Sequence, residues 1–253
     1  MRAVILAAGL GTRLLPLTSD KPKCLVQVGR RSILDHMLFA LSQVGVQEAV
    51  LVVGHLGEVI QEAIGDSRFG VSIRYVFNPL YEHHGSGYSI ALAANEIGNG
   101  DTLVVEGDLI LPAADLERIV DPELGSAVLV DTREAIDPTR AVVVLAKDGL
   151  VERFAYDTGH VDVMAQVEDP SLVVGESMQA WRFSPEASKA LATELYRFQE
   201  DVGVAPDTRT NLYPINEVIK THPMRWIASG ETPWFNVNTV EDIRYAERFD
   251  YVK

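Results

Sequence analysis

Near the amino end, small residues and two cations are spaced as an anion site requires. Ala3 to Leu6 is a short apolar run that opens into Ala7, Ala8, Gly9 and Gly11, with Thr12, Arg13 and Lys23 just beyond. A backbone free of bulky side chains lets several N–H groups turn inward around phosphate oxygens, and the two cations follow the same anion. The expected ligand is a triphosphate. A second charged feature is Glu106-Gly107-Asp108, where the apolar run Thr102–Val105 ends. In a doubly wound sheet ligands sit beyond the carboxyl ends of the strands, so Asp108 is placed to face the triphosphate. A carboxylate there suits Mg²⁺, which takes one or two protein oxygens together with phosphates.

Two better-known glycine loops are excluded. Leu14 stands where the dinucleotide fingerprint needs its third glycine, and no G-x-x-x-x-G-K-[ST] string occurs. The six histidines (His36, His55, His83, His84, His160 and His222) show no H-x-x-x-H or H-x-H spacing. They are expected as surface or loop residues rather than as a zinc site.

What remains, Leu6-Ala7-Ala8-Gly9-Leu10-Gly11-Thr12-Arg13 followed by Lys21-Pro22-Lys23, resembles the signature loop of the sugar-nucleotide-type nucleotidyltransferases. The resemblance implies an α/β fold and transfer of a nucleoside monophosphate from a triphosphate to a phosphorylated acceptor. It implies that Leu6, Ala7, Ala8, Gly9, Gly11 and Thr12 bind the nucleotide, and that Asp108 is the principal magnesium ligand. Many relatives have a second acid where this chain has Asn236 or Asn238. Val237-Asn238-Thr239 is similar to a Val-Asn-Asn context in bacterial N-acetylglucosamine-1-phosphate uridylyltransferases, which favours Asn238 as the second ligand over Asn236.

The implied reaction is in-line attack by an acceptor phosphate or phosphonate oxygen on the α-phosphorus, with pyrophosphate leaving. The nucleophile is already an anion, so neither a general base nor a covalent intermediate is needed. Arg13 would hold the β,γ-phosphates, and Lys23 would bridge the α-phosphate and the acceptor. Lys21 is expected to face solvent.

Two segments are expected to read the base. Val53-Gly54-His55-Leu56-Gly57-Glu58 has glycines that permit close approach. Asn78-Pro79-Leu80-Tyr81 with Gly85-Ser86-Gly87-Tyr88-Ser89 resembles a stretch of the CTP:phosphocholine and inositol-1-phosphate cytidylyltransferases. It implies CTP ahead of UTP or dTTP, with Gly54, Asn78, Gly85 and Ser86 at the nucleotide. Acceptor contacts are expected from Tyr88, Glu176, Trp181, Arg209 and Asn211. Choline would want an aromatic cage, and Arg209 would repel its cationic head group. Inositol phosphate, a sugar phosphate or a phosphonate therefore stands beside phosphocholine. Two other readings stay open: a hexose-1-phosphate uridylyl- or thymidylyltransferase, and a catalytically silent nucleotide sensor.

These residues must be positioned by alternating strands and helices. Apolar runs at Ala3–Leu6, Ala49–Val53, Val71–Val76 and Thr102–Glu106 read as parallel strands. Ser32 with Asp35 starts a helix whose stripe is Ile33, Leu34, Met37, Leu38 and Leu41. Ser86 to Ala94, Ser184-Pro185-Glu186 and Thr239 with Asp242 mark further helices. From Ser126 the β-branched runs Ala127–Val130, Ala141–Leu145 and Leu172–Val174 lie between turns such as Lys147-Asp148-Gly149. The expectation is one α/β domain over residues 1–253, with a Rossmann-like, mixed but mostly parallel sheet flanked by helices.

Composition sets the outer limits. The 253 residues are 47% hydrophobic, ample for a core, and the net charge of −14 argues against a nucleic-acid polymer as partner. No apolar run approaches a membrane span, and Ala3–Ala8 is too short for a signal peptide. The single cysteine, Cys24, is expected to be a small buried residue, in keeping with a reducing cytoplasm.

Overall fold

The computed structural model describes residues 1–133, 142–156, 163–203 and 205–252. Ala141 and His160 thus lie outside the described residues. The chain runs β1 (Arg2–Ala7), β2 (Gln27–Val28), β3 (Arg31–Ser32), α1 (Ile33–Gln43), β4 (Glu48–Val53), α2 (Gly57–Ile64), β5 (Ser67–Arg68) and β6 (Val71–Phe77). Next come α3 (Ser86–Leu92), β7 (Thr102–Glu106), β8 (Leu109–Ile110), α4 (Ala113–Val120) and β9 (Ser126–Asp131). The remainder is β10 (Val143–Lys147), β11 (Leu150–Ala155), β12 (Val173–Phe183), α5 (Pro185–Val202), α6 (Leu212–Ile219), β13 (Met224–Ala228), β14 (Phe235–Asn236) and α7 (Val240–Ala246).

Strands β6, β4, β1 and β7 pair in parallel, in that order, and form the half of the sheet expected from the sequence. β1 and β4 are apolar almost throughout because helices cover both faces. Along β1, Val4 and Leu6 pack on the side of α3, α5 and α6, while Ala3 and Ile5 pack towards α1, α2 and α4. Local signals set the helix starts. Ser32 accepts from Asp35 N at 3.0 Å, and Ser184 accepts from Ala187 N at 3.3 Å. The α3 segment stops at Leu92 and continues as a 3-10 turn, Ala94–Glu96; its cap position is Gly85, with Ser86 as the first helical residue.

The other half departs from the expectation of a mostly parallel, open sheet. β12 pairs antiparallel with β7, and β12, β9, β13, β11 and β10 close into a five-stranded ring through the β10–β12 pairing. Only β9–β13 is parallel there among the described residues. Parallel neighbours need long crossovers, and this stretch supplies a hairpin instead. Asp148 and Gly149 both have positive φ, 52° and 80°, the conformation that suits a two-residue hairpin turn. β12 serves both halves because it bends: its register against β9 shifts between Ser177 and Trp181, where Gln179 has φ 54°.

A third cluster, centred on Leu14, Ile33, Ile110, Phe235, Val237 and Ile243, fastens the carboxyl-terminal segment to the loop after β1. Ring contacts among Phe235, Tyr245, Phe249 and Tyr251, edge-on, tilted and stacked, consolidate it. Among the described residues no helix is long and apolar enough to cross a membrane.

Candidate active site

β1 and β7 are parallel neighbours, with Leu6 opposite Glu106, so their carboxyl ends open at the same level. Gly107 N donates to Leu6 O at 2.8 Å, and a Cβ on Gly107 would stand only 2.6 Å from that oxygen. The missing side chain lets Asp108 draw alongside the amino-terminal loop. Gly11 has φ 66°, and its Cβ would lie 2.8 Å from Lys23 Cβ; glycine there lets Lys23 fold back over the loop. Two 3-10 turns, Thr12–Leu14 and Lys23–Leu25, carry the two cations.

These parts enclose a cavity of about 310 Å³. Leu6, Ala7, Ala8, Gly9, Gly11 and Thr12 line it, as do Arg13 and Lys23. Asp108 and Asn238 complete that side. Lys23 Nζ donates to Asp108 Oδ2 at 2.6 Å and to Asn238 Oδ1 at 2.8 Å, so residues far apart in sequence meet at one ammonium group. The third hydrophobic cluster and the α7 cap explain how Asn238 arrives there. β14 pairs with β8, Val237 N donates to Asp108 O at 2.9 Å, and Asp242 Oδ2 accepts from both Asn238 N (2.8 Å) and Thr239 N (2.7 Å). Of the two asparagines, Asn238 faces Lys23, and Asn236 Oδ1 accepts from Asn238 Nδ2 at 2.8 Å, fixing its orientation.

Oxygen donors suited to a hard cation are therefore in place. Asp108 Oδ1 is buried without a hydrogen-bond partner, and Asn238 Oδ1 lies across the same ammonium group. Among the described residues no group of three His, Cys, Asp or Glu side chains could hold a metal; phosphates and water would complete a site built on Asp108 and Asn238. Lys21 is exposed. Cys24 is buried at the cavity wall, and burial pushes its thiol up to about 12, leaving it neutral.

The expected base and acceptor residues divide. Gly85 and Ser86 line the cavity, whereas Gly54 and Asn78 stand behind its wall. Gly54 is pressed between Ala8 O and the Tyr81 side chain; Asn78 is fully buried and donates to Ser89 Oγ at 3.0 Å. Ser86 Oγ accepts from Asn211 N at 3.1 Å and donates to Asn211 Oδ1 at 3.2 Å. Gly85 is a close-approach residue, because a Cβ there would collide with the carbonyls of Thr208 and Arg209.

None of the five acceptor candidates lines the cavity. Trp181 is a core residue, 1% exposed, edge-on to Phe154. Tyr88 packs in the core, and Glu176 lies on β12 opposite Asp131. The Arg209 guanidinium is bound by Asp207 and Asp201 at 2.7 Å each and stacks over Phe198 and Tyr213. Its charge is matched, so the argument that it repels a cationic acceptor does not hold. Asn211 is buried beneath Ser86.

A family model described as "Domain of unknown function (DUF6564)" matches residues 20–249. The chain belongs to the DUF6564 family. It is also similar to proteins with named activities. CMP-5'-(3-aminopropyl)phosphonate synthase of Streptomyces rubellomurinus is 41% identical over 158 residues, 62% of this chain and 25% of that protein. Choline-phosphate cytidylyltransferase of Streptococcus pneumoniae is 37% identical over 108 residues, 43% of this chain and 44% of that one. These curated relatives are thus matched over less than half of their own length. The structure of the inositol-1-phosphate CTP transferase from T. maritima superposes with a TM-score of 0.75 at 20% identity, over 100% of this chain and 96% of that one, which shows a shared α/β fold.

In this DUF6564 chain Tyr81 and Ser89, from the segment expected to read the base, line the cavity, and the structure adds two residues for which no site role was expected from the sequence. Glu106, the last residue of β7, lines the cavity beside Asp108, as does His84. Burial, then the neighbouring Asp108 charge, pushes the Glu106 carboxyl up to about 8, with Lys23 and Asn211 acting the other way. Its signal was its place at the carboxyl end of a parallel strand, where ligands sit. His36 and His84 are buried rather than surface residues, and the His36 ring bonds Val28 O at 2.8 Å. Burial lowers the His36 pKa, so it serves as a neutral core group.

Proposed function

We propose that this chain transfers CMP from CTP to a small phosphorylated or phosphonate acceptor and releases pyrophosphate. The observation that carries the reading is the Lys23 ammonium resting on Asp108 and Asn238 at the edge of a glycine-lined cavity. The glycine loop would cradle the triphosphate with its N–H groups, and Arg13 would hold the departing pyrophosphate. Lys23 would follow charge onto the α-phosphate and the entering oxygen. Asp108 Oδ1 and Asn238 Oδ1 would hold Mg²⁺, which supplies charge neutralisation in phosphoryl chemistry. Asparagine brings an oxygen without a charge, so affinity for the metal would depend on bound nucleotide. Cytidine is favoured because two relatives are named for CMP or cytidylyl products, and phosphonate enters through one of those names.

The hexose-1-phosphate reading is supported by relatives such as a UTP–glucose-1-phosphate uridylyltransferase of Haloferax volcanii, 39% identical over 113 residues, 45% of each chain. One panel separates the two. The protein is incubated with Mg²⁺ and CTP, UTP or dTTP, each with 3-aminopropylphosphonate, phosphocholine, inositol 1-phosphate or glucose 1-phosphate, and pyrophosphate is followed. Release with CTP and one of the first three acceptors is expected. Release only with UTP or dTTP and the hexose phosphate transfers the reading to the second class. Nucleotide binding without release from any pair leaves a sensor.

A further inference from the structure

The cavity wall carries a histidine ring that the phosphate chemistry leaves unused. His84 is 8% exposed, lines the cavity, and has neither Nδ1 nor Nε2 hydrogen-bonded. Buried polar atoms are almost always paired, so two open nitrogens on one ring at a cavity wall mark a place where a ligand atom belongs. The ring is not free to turn away. It packs on Tyr88 with centroids 4.5 Å apart, and its backbone is held by His84 N to Leu80 O at 3.1 Å. On either side, Gly85 N donates to Asp207 O at 2.7 Å and Asp207 N to His83 O at 3.1 Å.

We propose that His84 is a specificity-determining residue whose imidazole hydrogen-bonds the base edge of the bound nucleotide. This rests on the nucleotide reading of the cavity, not on turnover. The phosphate tail is provided for by the glycine loop with Arg13 and Lys23. The stretch of wall around His84 offers Tyr81, Ser86 and Ser89, which are neutral polar or aromatic and carry no cation to hold a phosphate. A neutral imidazole has one donor and one acceptor, and a base edge presents both. The Ser86 hydroxyl is engaged by Asn211, Ser89 Oγ accepts from Asn78 and the Tyr81 hydroxyl donates to Glu82, whereas both ring nitrogens of His84 are open to read the base.

The test compares two ligands, CTP and inorganic tripolyphosphate, which shares the tail and lacks the base. Calorimetric titration of His84→Phe, which keeps a ring against Tyr88 but removes both nitrogens, should weaken CTP by on the order of tenfold or more. Tripolyphosphate affinity should stay within about twofold of the parent. Equal weakening of both ligands, or of neither, overturns the assignment. Should the phenylalanine variant not fold, His84→Asn decides: its ratio of CTP to UTP affinity must differ from the parent's, and an unchanged ratio sinks the idea. Pyrophosphate release by the parent protein is scored separately. Turnover with an indifferent His84 refutes this inference alone, and selective loss of CTP binding without turnover refutes only the transferase reading.

Discussion

Lys23 is the residue on which the candidate chemistry converges, and its two partners come from the middle of the chain and from near its carboxyl end. An ammonium held by Asp108 and Asn238 is oriented before any ligand arrives, which is what transition-state charge stabilisation needs. Lys23→Met should therefore lower kcat by about 10²–10³-fold, equivalent to about 3–4 kcal/mol, while KM for the nucleotide changes less. Asp108→Asn keeps the shape and removes the charge, and should lose activity on the same scale. Because the two groups share one contact, the double variant should lose less than the product of the single losses. Steady-state pyrophosphate release measures all three. Full additivity would mean that Lys23 and Asp108 act separately, contrary to the geometry. At this scale the sequence was informative where a motif fixed several residues together, as in the run from Leu6 to Lys23. It assigned Glu106 no role of its own and placed His84 on the surface or in a loop, because an isolated residue acquires its meaning only from the wall into which it folds.

Elements decide where Asn238 points. The α7 capping box is reciprocal: Thr239 Oγ1 accepts from Asp242 N at 3.2 Å, and Asp242 returns a carboxylate to Thr239 N and Asn238 N. Its carboxylate thus does two things, starting the helix and fixing the asparagine's backbone. Thr239→Ala removes only the first half and should cost about 1 kcal/mol of stability with little effect on kcat. Asp242→Ala releases Asn238 as well, and kcat should fall by about tenfold because small misplacements of a positioning group are costly. Melting curves and kinetics on the two variants separate the roles; equal kcat in both would show that the cap does not position Asn238. Caps of this kind were readable from sequence because donor and acceptor lie within one turn. Trp181 shows the converse. Its aromatic surface suggested an acceptor cage, but β12 turns it into the core, and that strand's bend near Gln179 depends on partners at β7, β9 and β10.

Across the whole molecule, β12 joins the parallel half to the closed ring, and a buried arginine fastens the joint. Arg182 lies opposite Leu103 on β7 and Ala127 on β9, is 1% exposed, and binds Asp101 Oδ1 at 2.5 Å and the Gly125 carbonyl. The ring could not be foreseen from local pattern, since its closure is a pairing between β10 and the early part of β12 that no single segment encodes. Arginine at this site ties together the turns that lead into β7 and β9, at the end of the sheet remote from Asp108. Replacing it with methionine leaves a buried carbonyl without its donor and an aspartate without its cation. Asp101 is partly exposed, so solvent recovers some of its loss, and the cost should be about 2–3 kcal/mol. For a chain of this size that lowers the melting temperature by about 4–12 °C. Well below melting, kcat should be unchanged, because the strand ends at the candidate site are held by separate contacts. A loss of kcat at full thermal stability would instead mean that the joint transmits strain along β7 to Asp108, and that the two halves of the sheet are mechanically coupled rather than merely attached.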